Sequence, residues 1–331
     1  MSNKKYNVFG VGNAIVDTLA QVEETFVSDL ALNKGSMSLM DSEHQAKVLH
    51  ELEQHNLKMA SGGSAANTMV AIAQSGGTGI YSGKVAHDPN GEFYKQDMQE
   101  SGIEFPVELA AESSLPTGTC VVLTTPDAER TMCTHLGIST TLTKSELDFD
   151  LMAQCDCSYI EGYLWDADEP RAACIETFEQ SKKLGIKAAF TFSDAFLLHR
   201  FGDDFRNLVN EYCDIVFCNA DEAKQFFGMD DMDACATEMA KICDLAFMTD
   251  GGNGCRVVEN GSTTIVPGFA VNAVDTNGAG DAFAGGALYG LTNGMPAVNA
   301  AKWGNYFASR VVEHIGPRIE GSMASHVESV I

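Results

Sequence analysis

The sequence predicts an α/β chain: a three-layer, doubly wound, mostly parallel sheet with a small β-sheet lid. Three observations lead there. Short runs rich in β-branched and aromatic residues recur along the chain, from about residue 150 they alternate with helix-like stretches, and the segments 14–40 and 103–136 break that alternation. Those two segments read as strands and turns with no crossover helix, so they are assigned to the lid. Residues 1–13, 41–102 and 137–331 are assigned to the large domain.

YNVFGVGN, the first run, ends at Gly10 and Gly12 and reads as a strand entering a loop. Further strand-like runs are GIYSGKVA (79–86), TGTCVVLTT (117–125), CSYIEGYL (157–164), KAAFTFS (187–193), CDIVFCN (213–219), LAFMTDG (245–251) and STTIVPGF (262–269). DEPRAACIETFEQSKKLG and DEAKQFFG lie between them as helices, and a lysine pair followed by Gly185 marks the end of the first. Internal repeats, low-complexity tracts and linkers are absent from the sequence.

With 331 residues, 45% of them hydrophobic, the chain buries a sizeable core without staples. No apolar run reaches the ~18 to 20 residues of a membrane span. The N-terminus lacks the apolar stretch of a signal peptide, so a cytoplasmic location is expected. Ten cysteines are scattered, with Cys155 and Cys157 the closest pair and no CxxC spacing, which indicates reduced, buried thiols. A net charge of −25 argues against nucleic acid and anionic membranes as partners. A polyphosphate ligand would then have to be received by backbone N–H groups, a few placed cations and a metal.

Four loops after strands carry candidate chemistry. In DTNGAGDAF, residues 275–283, small residues precede Asp281 and an apolar helix follows. A glycine-rich turn at a helix N-terminus gathers N–H groups that favour an anion. Asp281 beside them is either a base for an attacking hydroxyl or an acid that merely complements the helix dipole. In SGGSAANTMVAIAQSGG, residues 61–77, Gly62 and Gly63 permit close approach, and Asn67 either grips hydroxyls or is solvated behind a Ser64 cap. Asn13 and Asp17 in GNAIVD suit paired hydroxyls. Asn219 and Glu222 in CNADEAKQF either orient metal-bound water or form a helix cap. No GxxxxGKS or GxxxxGKT occurs, which excludes a P-loop. The GxG at Gly10 lacks the third glycine of a dinucleotide fingerprint.

On these loops the chain resembles the ribokinase (PfkB) family of carbohydrate and nucleoside kinases. DTNGAGDAFAGGAL is similar to the family's C-terminal signature, GGSAANTMVAIAQSGG to its N-terminal one, and NADE (219–222) to its NxxE element. Within the family, PTGTCVV (116–122), ERTM around Arg130, YIEGYL (159–164) and FSDAF ending at Phe196 resemble the adenosine kinase branch. The resemblance implies a ribokinase-like fold and ATP-dependent phosphorylation of a primary hydroxyl on a ribose-containing substrate, adenosine first. A free sugar (ribokinase, fructokinase or 2-keto-3-deoxygluconate kinase type) is the alternative.

What the resemblance implies for the site can be stated residue by residue. Asp281 is the catalytic base, Gly278, Ala279 and Gly280 form an anion hole, and Arg130 swings in on the lid. Asn13, Asp17, Gly62, Gly63 and Asn67 hold the ribose, while Cys120, Met132, Leu164 and Phe196 line the substrate pocket. Asn219, Thr249, Gly251 and Gly254 face ATP, Asn219 and Glu222 orient the Mg²⁺ shell through water, and K⁺ sits near the anion hole. Ala14, Leu164 and Met132 depart from the adenosine kinase pattern and imply an apolar pocket of different shape. The partners implied are small molecules only, and the protein is a monomer or a homodimer joined through the lid. A non-catalytic nucleoside or sugar sensor would need none of the Asp281, anion-loop and NxxE set.

Overall fold

The β-branched and aromatic runs pair into one eight-stranded sheet. The structure, a computed structural model, describes residues 4–111, 115–127 and 129–331. The strand order is β13 (Ser262–Val266), β12 (Cys255–Glu259), β11 (Leu245–Thr249), β10 (Ile215–Asn219), β9 (Lys187–Thr191), β8 (Cys155–Glu161), β1 (Tyr6–Val11) and β5 (Gly79–Ser82). From β5 to β11 every neighbour is parallel, and β12 and β13 add an antiparallel edge.

The central strands are apolar on both faces, as a sheet covered on both sides requires. On β10, Val216 and Cys218 enter one core while Ile215 and Phe217 enter the other, and on β9 Phe190 and Ala189 divide in the same way. The first core is closed by the helices Asp168–Leu184, Ala195–Glu211 and Ala220–Phe227. The second is closed by Ser64–Gln74, Pro89–Glu100, Ala279–Thr292 and Ala297–Val311. Gly185 ends the first of these helices in the left-handed region, at φ 64°. After β1 the chain returns to this sheet first as β5 on one side and then as β8 on the other. That change of direction opens a crevice beyond the C-terminal ends of the strands.

A second sheet covers the crevice, in the order β3 (Met37–Leu39), β7 (Arg130–His135), β6 (Gly118–Thr124), β2 (Ile15–Gln21) and β4 (Lys58–Gly62). Its register sets Asp17 opposite Cys120, Cys120 opposite Thr134, and Val122 opposite Met132. Because side chains alternate along a strand, Asp17, Cys120, Val122, Arg130, Met132 and Thr134 all share the face toward the crevice. Ala20, Val121, Leu123 and Cys133 point the other way and pack against Val27, Val48 and Leu52.

Three details differ from the sequence reading. Residues 58–62 form a strand of the small sheet and the helix Ser42–Glu51 packs on it, although the sequence assigns 41–102 to the large domain. Ile103, Phe105 and Val107, assigned by sequence to the lid, lie in the second core of the large sheet, where Glu104 bridges Ile80. Their alternating pattern suits either sheet equally. The segment 14–40 also contains a short helix, Glu24–Asp29. The outer face of the small sheet is covered by that helix and by Ser42–Glu51.

Leu52, fully buried at the end of its helix, supports the small sheet from the side away from the crevice. Leu52→Ala is expected to lower unfolding free energy by about 2–5 kcal/mol in denaturant titration. A change below about 0.5 kcal/mol would show that the helical cover does not stabilise the sheet.

Candidate active site

Asp281 occupies the first turn of the helix Ala279–Thr292, whose N-cap is Gly278 at φ 74°. A Cβ at Gly278 would lie 2.5 Å from the Pro317 side chain and 2.6 Å from its backbone, so both conformation and space require glycine. The N–H groups of such a first turn have no partner inside the helix and point toward the crevice end. Farther along, a Cβ on Gly285 would come within 2.5 Å of Ala71 and 2.6 Å of the Thr68 carbonyl. This close crossing brings the start of the helix Ser64–Gln74 beside Asp281. Ser64 Oγ donates to Asp281 Oδ1 at 2.6 Å and Asn67 Nδ2 donates to Oδ2 at 3.1 Å. Desolvation raises the Asp281 pKa, while those two hydrogen bonds and the charges of Arg130 and Arg318 oppose the rise.

Asn13, just beyond β1, is held on three sides. Its backbone N and its Nδ2 donate to Glu161 Oε1 at 2.7 and 2.8 Å, and its Oδ1 accepts from Ser139 Oγ at 2.7 Å. Glu161 also receives the Ala65 N–H at 2.7 Å, and burial pushes this carboxyl up to about 7 against those donors. Asp17 contrasts with it. Burial raises Asp17 to about 7 and Arg318 pulls it back, but no hydrogen bond reaches its carboxylate among the described residues. Asp17 therefore faces the crevice with its acceptor sites open. Beside it the small sheet presents an apolar wall that includes Ile15, Met37, Leu39, Val122 and Met132. On the opposite side Phe196 and Tyr163 stand with ring centroids 6.4 Å apart.

The cavity joins most of the residues singled out in the sequence: Asn13, Asp17, Gly63, Asn67, Cys120, Arg130, Met132, Phe196, Asn219, Glu222, Thr249 and Gly278 to Asp281 all line it. Four do not. Leu164 is buried in the first core, because the turn Gly162–Asp166 directs Tyr163 rather than Leu164 to the cavity. Gly62 lies behind Asp17, where a Cβ would be 2.3 Å from the carboxylate. Gly251 is exposed, and Gly254 is packed against the Val266 carbonyl, 2.2 Å from where its Cβ would stand.

Asn219 and Glu222 line the cavity and also form a capping box. Asn219 Oδ1 accepts from the Glu222 N–H, and Glu222 accepts from both the backbone N–H and Nδ2 of Asn219, all at 2.9 Å. Burial next to Asp194, Asp221 and Asp281 pushes Glu222 up to about 8. A cation bound beside Glu222 would offset that repulsion, so the donor set fits a divalent ion. No cluster of three or more metal-ligating side chains exists among the described residues, so such an ion would need phosphate oxygens or water to complete its shell. Arg130 reaches from the small sheet to the anion loop, with Nη1 3.4 Å from Thr276 Oγ1.

Sequence reasoning missed Glu161, Tyr163 and Arg318. Glu161 ends a strand-like run and Tyr163 stands next to the residue chosen in its place. Arg318 lies far along the chain in an irregular segment, with no local pattern to mark it.

A strand-end crevice, a glycine-opened helix N-terminus and an adjacent acid suit transfer of a phosphoryl group to an alcohol. The family comparison agrees: residues 35–322 match the pfkB family carbohydrate kinase model, and the chain belongs to that family, whose kinases use ATP. Among solved structures it is similar to adenosine kinase from Sinorhizobium meliloti, with 34% identity, a TM-score of 0.92, and 99% of this chain and 100% of that one covered. It is equally similar in fold to a probable sugar kinase protein from Rhizobium etli CFN 42, with 32% identity, a TM-score of 0.92, and 98% of each chain covered. Adenosine kinase of Saccharomyces cerevisiae is 26% identical over 337 residues, spanning 96% of this chain and 97% of the yeast protein. No helix among the described residues is long and apolar enough to cross a membrane.

The raised carboxyls fix a direction for stability. Asp17, Glu161 and Glu222 hold protons in the folded state up to about 7, 7 and 8, whereas in the unfolded chain they release them near 4. The folded form therefore binds more protons across that window, and these groups make the ligand-free protein less stable as pH rises through it. Urea midpoints measured at pH 5.5 and pH 8.5 are expected to be higher at pH 5.5. The reverse order would contradict the assignment.

Proposed function

We propose that this phosphotransferase moves the γ-phosphoryl group of ATP to the primary hydroxyl of adenosine, giving AMP and ADP. The observation that carries the reading is the placement of Asp281 between the anion loop and the open carboxylate of Asp17, under an apolar wall. A ribose would lay its hydroxyls on Asp17 and Asn13, and a purine would lie against Met132, Val122 and Phe196. Arg130 is the only Lys or Arg among the described residues lining the cavity, against five carboxylates, which disfavours an anionic acceptor such as 2-keto-3-deoxygluconate. The similarity to the Sinorhizobium adenosine kinase supports the nucleoside. The equal similarity to the Rhizobium etli probable sugar kinase supports a free neutral sugar as the second reading.

In the reaction, Asp281 accepts the proton of the attacking hydroxyl, and Ser64 and Asn67 hold it in place for that. The N–H groups from Gly278 to Gly280 and the Arg130 guanidinium stabilise charge on the transferring phosphoryl. Asn219 and Glu222 would hold the water shell of a Mg²⁺ ion, which would supply charge neutralisation for the phosphates of ATP. The contact between Arg130 and Thr276 joins the small sheet to the anion loop, and closure there excludes water. The covered outer face of the small sheet supports a monomer.

An ADP-release assay with Mg-ATP against adenosine, inosine, guanosine, cytidine, ribose and fructose tests the acceptor. Adenosine is expected to turn over far above the others, and turnover on a free sugar alone would move the protein to the second reading. Asp281→Asn is expected to lower kcat by roughly 10²–10⁴-fold while leaving ATP affinity within about twofold. Parental kcat in that variant would remove Asp281 from its role as base.

A further inference from the structure

We propose that Arg318 is a positioning residue for phosphoryl transfer, fixing the amide of Asn67 so that its nitrogen, and not its oxygen, faces Asp281. The geometry rests on a chain of contacts. Arg318 Nε donates to Asn67 Oδ1 at 2.9 Å, and Asn67 Nδ2 donates to Asp281 Oδ2 at 3.1 Å. A guanidinium has no acceptor atom, so the end of the amide that meets it has to be the oxygen. The other end is then a donor aimed at the carboxylate. Among the described residues no other side chain donates to Asn67 Oδ1, so Arg318 alone enforces the choice on that side.

Arg318 is itself fixed. Its Nη1 donates to Ser61 Oγ at 2.9 Å and lies 3.4 Å from Asp97 Oδ2, and Ser61 Oγ donates to the same carboxylate at 2.6 Å. The side chain is only 12% exposed. The residues before it brace the anion loop. Gly316 N donates to Asp275 Oδ2 at 2.8 Å, Asn277 N to Asp275 Oδ1 at 2.9 Å, and Pro317 packs on Gly278. One short stretch, Gly316 to Arg318, thus supports both the anion loop and the amide that holds the base.

Several charged or titratable groups face Asp281. Arg130 comes from the small sheet and Arg318 from the C-terminal segment, both favouring the charged carboxyl. Asp17 of β2, Glu161 at the end of β8 and Glu222 of the helix Ala220–Phe227 oppose it, and Tyr159 and Tyr163 stand nearby. Removing Arg318 takes away one of two cations and frees a hydrogen-bond donor, so the base would hold its proton to higher pH.

The experiment uses the full chain with Arg318→Met and Arg318→Lys. The first readout is the ¹³C carboxyl titration of Asp281 in the ligand-free protein, with Asp281→Asn for assignment. Asp281 is expected to titrate at higher pH in Arg318→Met than in the parent. The second readout is kinetic: kcat/KM for the acceptor is expected to fall at least about tenfold in both variants, with the KM for ATP within about twofold. The acid limb of the pH profile is expected to move up. Arg318→Lys keeps a charge but loses the planar fork, so it decides the matter if Arg318→Met does not fold. A folded variant with parental Asp281 titration and parental acceptor kinetics overturns the proposal. The inference rests on Asp281 being the base. If Asp281→Asn keeps full turnover, that reading fails whatever Arg318 does, whereas the carboxyl titration needs no substrate and is unaffected by which acceptor is used.

Discussion

Two helices begin within hydrogen-bonding reach of one carboxylate because Gly285 carries no Cβ where they cross. With any larger residue there, Ala71 and the Thr68 carbonyl would have to move away, and Ser64 and Asn67 would leave Asp281. The same crossing sets the anion loop, since Gly278 starts the helix that carries Gly285. In the proposed reaction, binding an anion and activating its acceptor would therefore both depend on one packing contact in the second core. Loop chemistry follows from helix packing here, which is how a rigid α/β scaffold commonly positions a site.

The electrostatics follow from that placement. Asp17, Glu161, Glu222 and Asp281 share one crevice, and burial raises the pKa of each. The arrangement is costly in the empty protein and favours ligands that bring cations or hydroxyl donors. Glu161 is satisfied by three protein donors and serves to hold Asn13 and the helix at Ala65. No hydrogen bond reaches the Asp17 carboxylate among the described residues, and that difference supports the proposal that it is the acid left for a ligand. Two carboxylates with similar shifts thus have different parts, and hydrogen bonding separates them where pKa alone does not.

Much of the fold was legible because parallel strands buried on both faces leave continuous apolar runs, as in DIVF and LAFM. The small sheet was harder. Strands such as Lys58–Gly62 are short and part exposed, and the alternation in Ile103 to Val107 has the same period whichever sheet it joins. At the site, DTNGAGDAF was readable because small residues before an acid are needed for local backbone reasons. Leu164 was misplaced because a 3-10 turn reverses which neighbour points inward, and a one-residue change of direction leaves no trace in composition. Arg318 stayed hidden for a different reason: its contacts to Ser61, Asn67 and Asp97 are all more than 200 residues away along the chain.

The most direct test is a crystal structure of the protein with adenosine and a non-hydrolysable ATP analogue. The result expected is the primary hydroxyl within hydrogen-bonding distance of Asp281, the ribose diol on Asp17, and the terminal phosphate at the N–H groups of Gly278 to Gly280. A nucleoside bound elsewhere, or one whose primary hydroxyl points away from Asp281, would contradict it.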